Sequence, residues 1–277
     1  MRIWLINHYA VPPQYYPLAR PSLFAKNLIK MGHEVVIIAA STVHNSNENL
    51  ITDNKKAKLL VSDGIPYFLI KCPGYQGNGI SRVVNIISFA RKLPKLVSEL
   101  EKPDVIVATS FDPLSCYAGI RYAKRKGIKA VAEIADLWPE TLVAYNGLSS
   151  NNVLVKWLRH IEKQIYTKAD SVVFTADGEY DYIVKQGWQS ILPKSKFFFI
   201  NNGIDLEQFD YNKENFTVYD ADLDNEEQFN VVYTGAIRKV NHLSGLLDAA
   251  KKVNNPRIKF LVWGGWRRTS EASEKDY

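Results

Sequence analysis

Cysteine is scarce: the 277 residues hold two, Cys72 and Cys116. They stand far apart and in no CxxC arrangement, which argues against a disulfide framework and a cysteine zinc site and fits a reducing compartment. Long apolar runs are missing as well. The opening IWLI is far shorter than the core of a signal peptide, and no stretch approaches the ~18 to 20 apolar residues of a spanning helix, so a cytoplasmic protein is expected. Glycine-rich phosphate loops are absent: the turn after the first apolar run, HYAVPPQYYPLAR, has no glycine, and no GxxxxGK[ST] occurs anywhere. Neither HExxH nor GxSxG is found, and the five histidines are scattered, so no metal site is expected.

Core-forming material is plentiful. Hydrophobic residues make up 46% of the chain and aromatics 12%, ample for a packed interior. The net charge of +6 is unevenly spread. Residues 1–130 carry 18 Lys and Arg against 8 Asp and Glu, 131–210 carry 7 against 11, and 211–277 carry 10 against 10. A basic first half is either a solvated face or a surface that attracts phosphate groups, of an anionic membrane or of an acceptor. The basic residues are dispersed and form no nucleic-acid-binding motif, so nucleic acid is not an expected partner.

Six apolar runs read as strands: RIWLIN, HEVVIIAA, DVIVATS, IKAVAEIAD, DSVVFTA and KFFFIN, each separated from the next by a helical pattern. Runs this continuously apolar, alternating with helices, predict a mostly parallel sheet covered on both faces. Pro21 suits a first helical turn and Gly32 a helix stop. In SNNVLVKWLRHIEKQIYTKAD the period places Val153, Trp157, Ile161 and Ile165 on one core-facing stripe. The segment 80–100 combines an apolar stripe with Arg82, Arg91, Lys92 and Lys95, as an interfacial helix or an ordinary helix with a wet basic side would. After Phe209 the chain turns polar and acidic without a period and reads as a linker over 210–228. A fresh strand, helix and strand follow over 229–265, and 266–277 is a polar tail.

In an open α/β sheet ligands lie beyond the carboxyl ends of the strands, so the residues just past each strand are the candidates. His8 and Tyr9, Ser110 and Asp112, Asp136 with Glu140, Thr175, and Asn201 to Asp205 hold those places. Asp136 has two readings: a carboxylate that binds hydroxyl groups or moves a proton, or the N-cap of a helix starting at LWPET.

The ordered set RPSLFAKNLIKMGHEVVII, DLWPE, ADSVVFTADGE, INNGIDLEQF and YTGAIRKVN resembles the family 4 retaining glycosyltransferases of the GT-B fold, in particular relatives that build bacterial surface polysaccharides. The likeness spans residues 1 to about 265. It implies an α/β protein of two Rossmann-like domains, the acceptor on the first (1–209) and a UDP- or GDP-sugar donor on the second, with no cofactor. By position, His8, Tyr9 and Arg20 would face a glycan or lipid-linked acceptor, and Asp136 and Glu140 the transferred sugar. Gly235, Arg238 and Lys239 match the family's diphosphate site, where a glycine turn opening a helix and two cations would offset the leaving group's charge. Asn202, Gly203 and Asp205 would form the hinge, Gly203 allowing a tight turn.

The sequence departs from the pattern twice. Many members have histidine where Ala135 stands, and the family's paired-glutamate motif has no counterpart after Gly265. The expectation is therefore a transferase truncated in its second domain, with little activity of its own, working at the inner face of the cell membrane. The rivals are a non-catalytic acceptor-binding remnant and a nucleotide-sugar epimerase of GT-B architecture.

Overall fold

A computed structural model describes residues 1–264, apart from 17, 45, 47 and 238–240. It divides into two compact units, 1–204 and a second that begins at 205.

The first unit is an eight-stranded sheet in the order β3-β4-β2-β1-β5-β6-β7-β8. Its strands are β1 (Arg2–Ile6), β2 (Glu34–Ala40), β3 (Ala57–Ser62), β4 (Ile65–Ile70), β5 (Val105–Thr109), β6 (Lys129–Ile134), β7 (Ser171–Phe174) and β8 (Phe197–Phe199). Its helices are α1 (Ala19–Lys30), α2 (Ile80–Leu96), α3 (Pro113–Lys126), α4 (Glu140–Asn146), α5 (Val153–Lys168) and α6 (Glu179–Lys185). All neighbours run parallel except β3 and β4. Those two form a hairpin whose turn residues, Asp63 and Gly64, have φ of +50° and +74°, the left-handed pair that a tight two-residue turn requires.

The six expected strands are present, and β3 with β4 makes two more than the apolar runs indicated. β3 is a half-exposed edge strand, so its run is weak, although Asp63-Gly64 between two apolar stretches was a usable hairpin signal.

Along β1 alternate side chains enter opposite layers. Trp4 and Ile6 join Phe89, Leu93, Ile106, Ile120 and Ile165 beneath α2, α3 and α5, whereas Ile3 and Leu5 join Ala25, Ile37 and Leu69 on the α1 side. Helix α3 lies close to the sheet because Gly119 has no side chain: a Cβ there would sit 3.1 Å from both Ala108 and Ile6. The face of α5 differs from expectation. Val155, Leu158, Ile161, Glu162, Ile165 and Tyr166 are buried, while Val153 and Trp157 are 83% and 49% exposed. A helix this rich in apolar residues offers more than one stripe, and the chosen one includes two polar side chains that find partners inside.

The second unit holds α7 (Leu206–Asn215), β9 (Phe229–Thr234), α8 (Leu243–Lys252) and β10 (Ile258–Trp263). β9 and β10 pair in parallel over six residues each. The expected boundary at 209 moves to 204, and the first part of the expected linker is helical. Asp205 explains the start of that helix: its Oδ1 accepts from the Gln208 amide at 3.2 Å, an N-cap. The expected tail 266–277 and residue 265 lie outside the described residues.

Candidate functional site

The chain leaves β1 for β2 and β4 on one side, then returns past β1 to β5 on the other, so the sheet's crossover point is the carboxyl edge between β1 and β5. His8 and Asp112 meet there. His8 is 2% exposed; its Nε2 lies 2.6 Å from Oδ1 of Asn85, and its Nδ1 lies 3.4 Å from Oδ2 of Asp112. The Asn85 amide is oriented by its own donors, which reach Thr42 Oγ1 at 3.0 Å and the Pro73 carbonyl at 2.6 Å. Asp112 caps α3 through Oδ1, which accepts from the Ser115 amide at 2.8 Å. Its Oδ2, like Asn7 Nδ2 and Ser115 Oγ, is buried without a hydrogen bond among the described residues.

Tyr9 covers His8, ring centroids 4.4 Å apart, and is itself buried. Its hydroxyl accepts from Arg82 Nε at 3.0 Å and Nη2 at 2.8 Å. Burial, helped by the Asp112 carboxylate and opposed by Arg82, pushes the phenol up to about 12, so it stays a neutral hydrogen-bonding group. Tyr16, His44 and Phe111 bring further rings to the same edge. His8 and Tyr9 thus stand just past β1, with the Tyr9 ring against His8.

Arg20 is engaged within the chain. Its Nε donates to Glu133 Oε1 at 2.9 Å, Nη1 to the Asn201 carbonyl at 2.8 Å and to Asn202 Oδ1 at 3.0 Å, and Nη2 to the Ile200 carbonyl at 2.9 Å. Glu133, 7% exposed, takes a second bond from Thr109 Oγ1 at 2.7 Å. The guanidinium expected to face an acceptor instead ties β6 to the segment where the chain leaves β8, because a buried carboxylate needs its counterion more than a solvated ligand does.

Asp136 follows β6, is exposed, and its carboxylate has no hydrogen-bond partner among the described residues. Partial desolvation raises its pKa. The N-cap reading fails: α4 starts at Glu140 behind Pro139, without a side-chain cap. Glu140 is one-third exposed and its Oε2 accepts from Arg159 Nη2 at 2.8 Å.

Of the hinge candidates, Asn202 meets Arg20 and Asp205 caps α7. Gly203 has no positive φ and open space around its Cβ position, so its glycine freedom is not used in this conformation. In the second unit Gly235, at φ +157°, follows β9, and its amide donates to the Trp263 carbonyl at 2.9 Å. A Cβ there would lie 2.9 Å from the Tyr233 hydroxyl. Arg238 and Lys239 lie outside the described residues.

Asn85, Glu133 and Arg159 escaped sequence reading, and Arg82 was read only as part of a basic helix side, since each sits within a helix or strand and acts on partners far along the chain. Among the described residues no three metal-ligating side chains gather.

The sequence profile of glycosyltransferase family 4 matches residues 23–208, from α1 into α7. The chain belongs to that family. No curated protein is significantly similar in sequence. Among solved structures, HepE from Anabaena, crystallised in complex with UDP-glucose, matches with a TM-score of 0.54 at 12% identity over 95% of this chain and 60% of its own. An alpha,alpha-trehalose-phosphate synthase (UDP-forming) from Burkholderia vietnamiensis gives 0.56 at 11% identity over 97% and 65%. A protein assigned as a UDP-N-acetylglucosamine 2-epimerase from Listeria monocytogenes gives 0.52 at 11% over 94% and 61%. These likenesses place this family 4 chain in the α/β GT-B fold class. It spans about 60% of the length of such structures. Among the described residues no helix is long and apolar enough to cross a membrane.

Proposed function

We propose that this family 4 chain serves transfer of a sugar from a nucleotide-sugar to a hydroxyl of a glycan or lipid-linked acceptor in cell-surface polysaccharide assembly, with retained anomeric configuration. The observation that carries the reading is Asp136, a carboxylate exposed and without a partner among the described residues at a strand's carboxyl end, with Glu140 four residues on and held by Arg159. In a family that moves sugars, such a group accepts hydroxyl hydrogen bonds from the transferred ring or offsets charge that develops at its anomeric carbon. Tyr9 and its aromatic neighbours face the acceptor, and Gly235 with Arg238 and Lys239 receives the diphosphate. HepE, solved with UDP-glucose, makes a UDP-sugar the first donor to try and a GDP-sugar the second.

The protein docks on the anionic inner face of the cell membrane through α2. Ile80, Val83, Val84 and Ile87 point outward at 83%, 50%, 49% and 37% exposure, followed by exposed Arg91 and Lys95. Arg82 has no part in this, being committed to Tyr9 and Asn78.

A second reading, nucleotide-sugar epimerisation, has the Listeria neighbour in its favour. Incubating the protein with UDP- or GDP-sugars, with and without lipid-linked saccharide, separates the two. Transfer that needs the acceptor and falls by about 100-fold in Asp136→Asn supports the transferase; an altered sugar formed without acceptor supports the epimerase. Acceptor bound without donor consumption is the outcome for a non-catalytic binding module.

A further inference from the structure

Behind Glu140 lies a chain of polar groups that enters an otherwise aromatic core. Arg159 on α5 donates from Nη2 to Glu140 at 2.8 Å and from Nη1 to the Tyr182 hydroxyl of α6 at 2.6 Å. Tyr182 in turn donates to Glu162 Oε2 at 2.8 Å, and Tyr166 donates to Glu162 Oε1 at 2.9 Å. Glu162 is 3% exposed. Its phenol partners are set among other rings: Trp188, Phe174 and Phe197 are in contact with Tyr166, and Trp188 with Tyr182 as well.

We propose that Glu162 is a positioning residue for the site: through Tyr182 and Arg159 it fixes the carboxylate of Glu140 where α4 begins. The inference rests on the reading of Glu140 as sugar-facing. Its physical basis is the geometry of the guanidinium. Arg159 is a long side chain that a single surface carboxylate does not hold in one orientation, because the entropy of a free rotamer offsets an exposed pair. Here a second anchor comes from another helix. Tyr182 fixes Nη1, and Glu162, whose Oε2 lies 3.9 Å from Nη1, adds attraction from below. The planar fork then presents Nη2 to Glu140 in a set direction.

Burying a carboxylate for stability alone is a poor bargain, since apolar replacements of the same volume are often neutral or better. Two phenylalanines and a leucine would fill this space. What they would lose is the connection from α6 through α5 to α4. The groups that face Glu162 are Tyr166 and Arg159 on its own helix, Tyr182 on α6 and Glu140 on α4, with Cys116 of α3 close to Tyr166. Burial pushes the Glu162 carboxyl up to about 8, against the lowering pull of its hydrogen bonds from Tyr182 and Tyr166 and of the nearby Arg159.

The two tyrosines supply the test. Tyr182→Phe and Tyr166→Phe each remove one phenol that donates to Glu162, in similar burial, but only Tyr182 leads on to Arg159. Hydrogen exchange on the whole 277-residue protein should show amides of 140–146 opening about tenfold faster in Tyr182→Phe and unchanged in Tyr166→Phe. Equal effects of the two, or an unmoved α4 in Tyr182→Phe, would overturn the proposal. Glu162→Gln, which keeps the shape, serves if Tyr182→Phe does not fold, and should loosen 140–146 while leaving β1 and β5 protected; unchanged 140–146 would count against it. Glu140→Gln distinguishes the two layers of argument: if it leaves sugar turnover or binding intact while Tyr182→Phe still loosens α4, the positioning network stands and the sugar-facing reading falls.

Discussion

The two units are made of the same strand-and-helix material and differ in what that material encloses. In 1–204 eight strands lie between two layers of helix, and Ile37, Leu69, Phe89 and Ile106 lose all contact with water. Among the described residues of 205–264, none is buried. α8 carries an apolar side, yet Leu247 is 54% exposed, and Val232 on β9 is 43% exposed. Two parallel strands and two short helices bury no side chain among the described residues, so each apolar side chain realises only part of the ~25 cal/mol per Å² that burial gives. Patterning selects the element type; the number of elements around it decides whether the pattern stabilises anything.

Hydrogen exchange is the most direct way to break that contrast. Amides in β1 and β5 should be protected close to the global unfolding limit, and those in β9 and β10 should exchange through local opening, at least about a thousandfold faster. Equal protection in the two sheets would mean that 229–263 is packed against a surface that raises its stability to that of the first unit, and the contrast would vanish.

Arg20 tests where the ordered unit stops. It is the residue that fastens 200–202 to β6, and its removal leaves Glu133 buried with only Thr109 for a partner. Arg20→Met should cost about 3 kcal/mol in urea unfolding and speed proteolysis between 200 and 205. Arg20→Lys, which keeps the charge without the planar fork, should fall between the two. A methionine variant as stable and as resistant as wild type would show that the exit from β8 is held by something else.

The readable parts of the sequence were those decided locally. Continuous apolar runs marked β1, β2, β5, β6, β7 and β8, and the short motifs past them marked the edge where His8, Asp136 and Asn202 stand. Features decided by distant partners were not readable. Arg20 pairs with residues more than 110 positions away, so its guanidinium looked free. The stripe on α5 was right at Ile161 and Ile165 and wrong at Val153 and Trp157, because Glu162 and the Tyr166 hydroxyl are buried through hydrogen bonds that no periodicity records. Asp136 looked as much like a cap as a ligand until the helix was seen to start four residues later.

Charge sharpens the comparison with the smallest effect. The excess of Lys and Arg over Asp and Glu falls in 1–130, within the first unit, whereas 211–277 is balanced. If the excess serves attraction to anionic lipid, it should act where apolar side chains also reach outward, and α2 is that place: Arg91 and Lys95 follow the exposed stripe from Ile80 to Ile87 along the same helix. Lys92 contributes less, because its ammonium already donates to the Lys71 carbonyl at 2.6 Å. With ~1 kcal/mol per cation near a charged surface, changing Arg91 and Lys95 to glutamine should weaken partitioning to anionic vesicles by about 2 kcal/mol, roughly thirtyfold, and raised salt should do the same. Neutral vesicles should bind the wild-type protein as weakly as the variant. Equal sedimentation with neutral and anionic vesicles, unmoved by the two substitutions, would make the basic half a solvated surface and leave burial as the property that separates the two units.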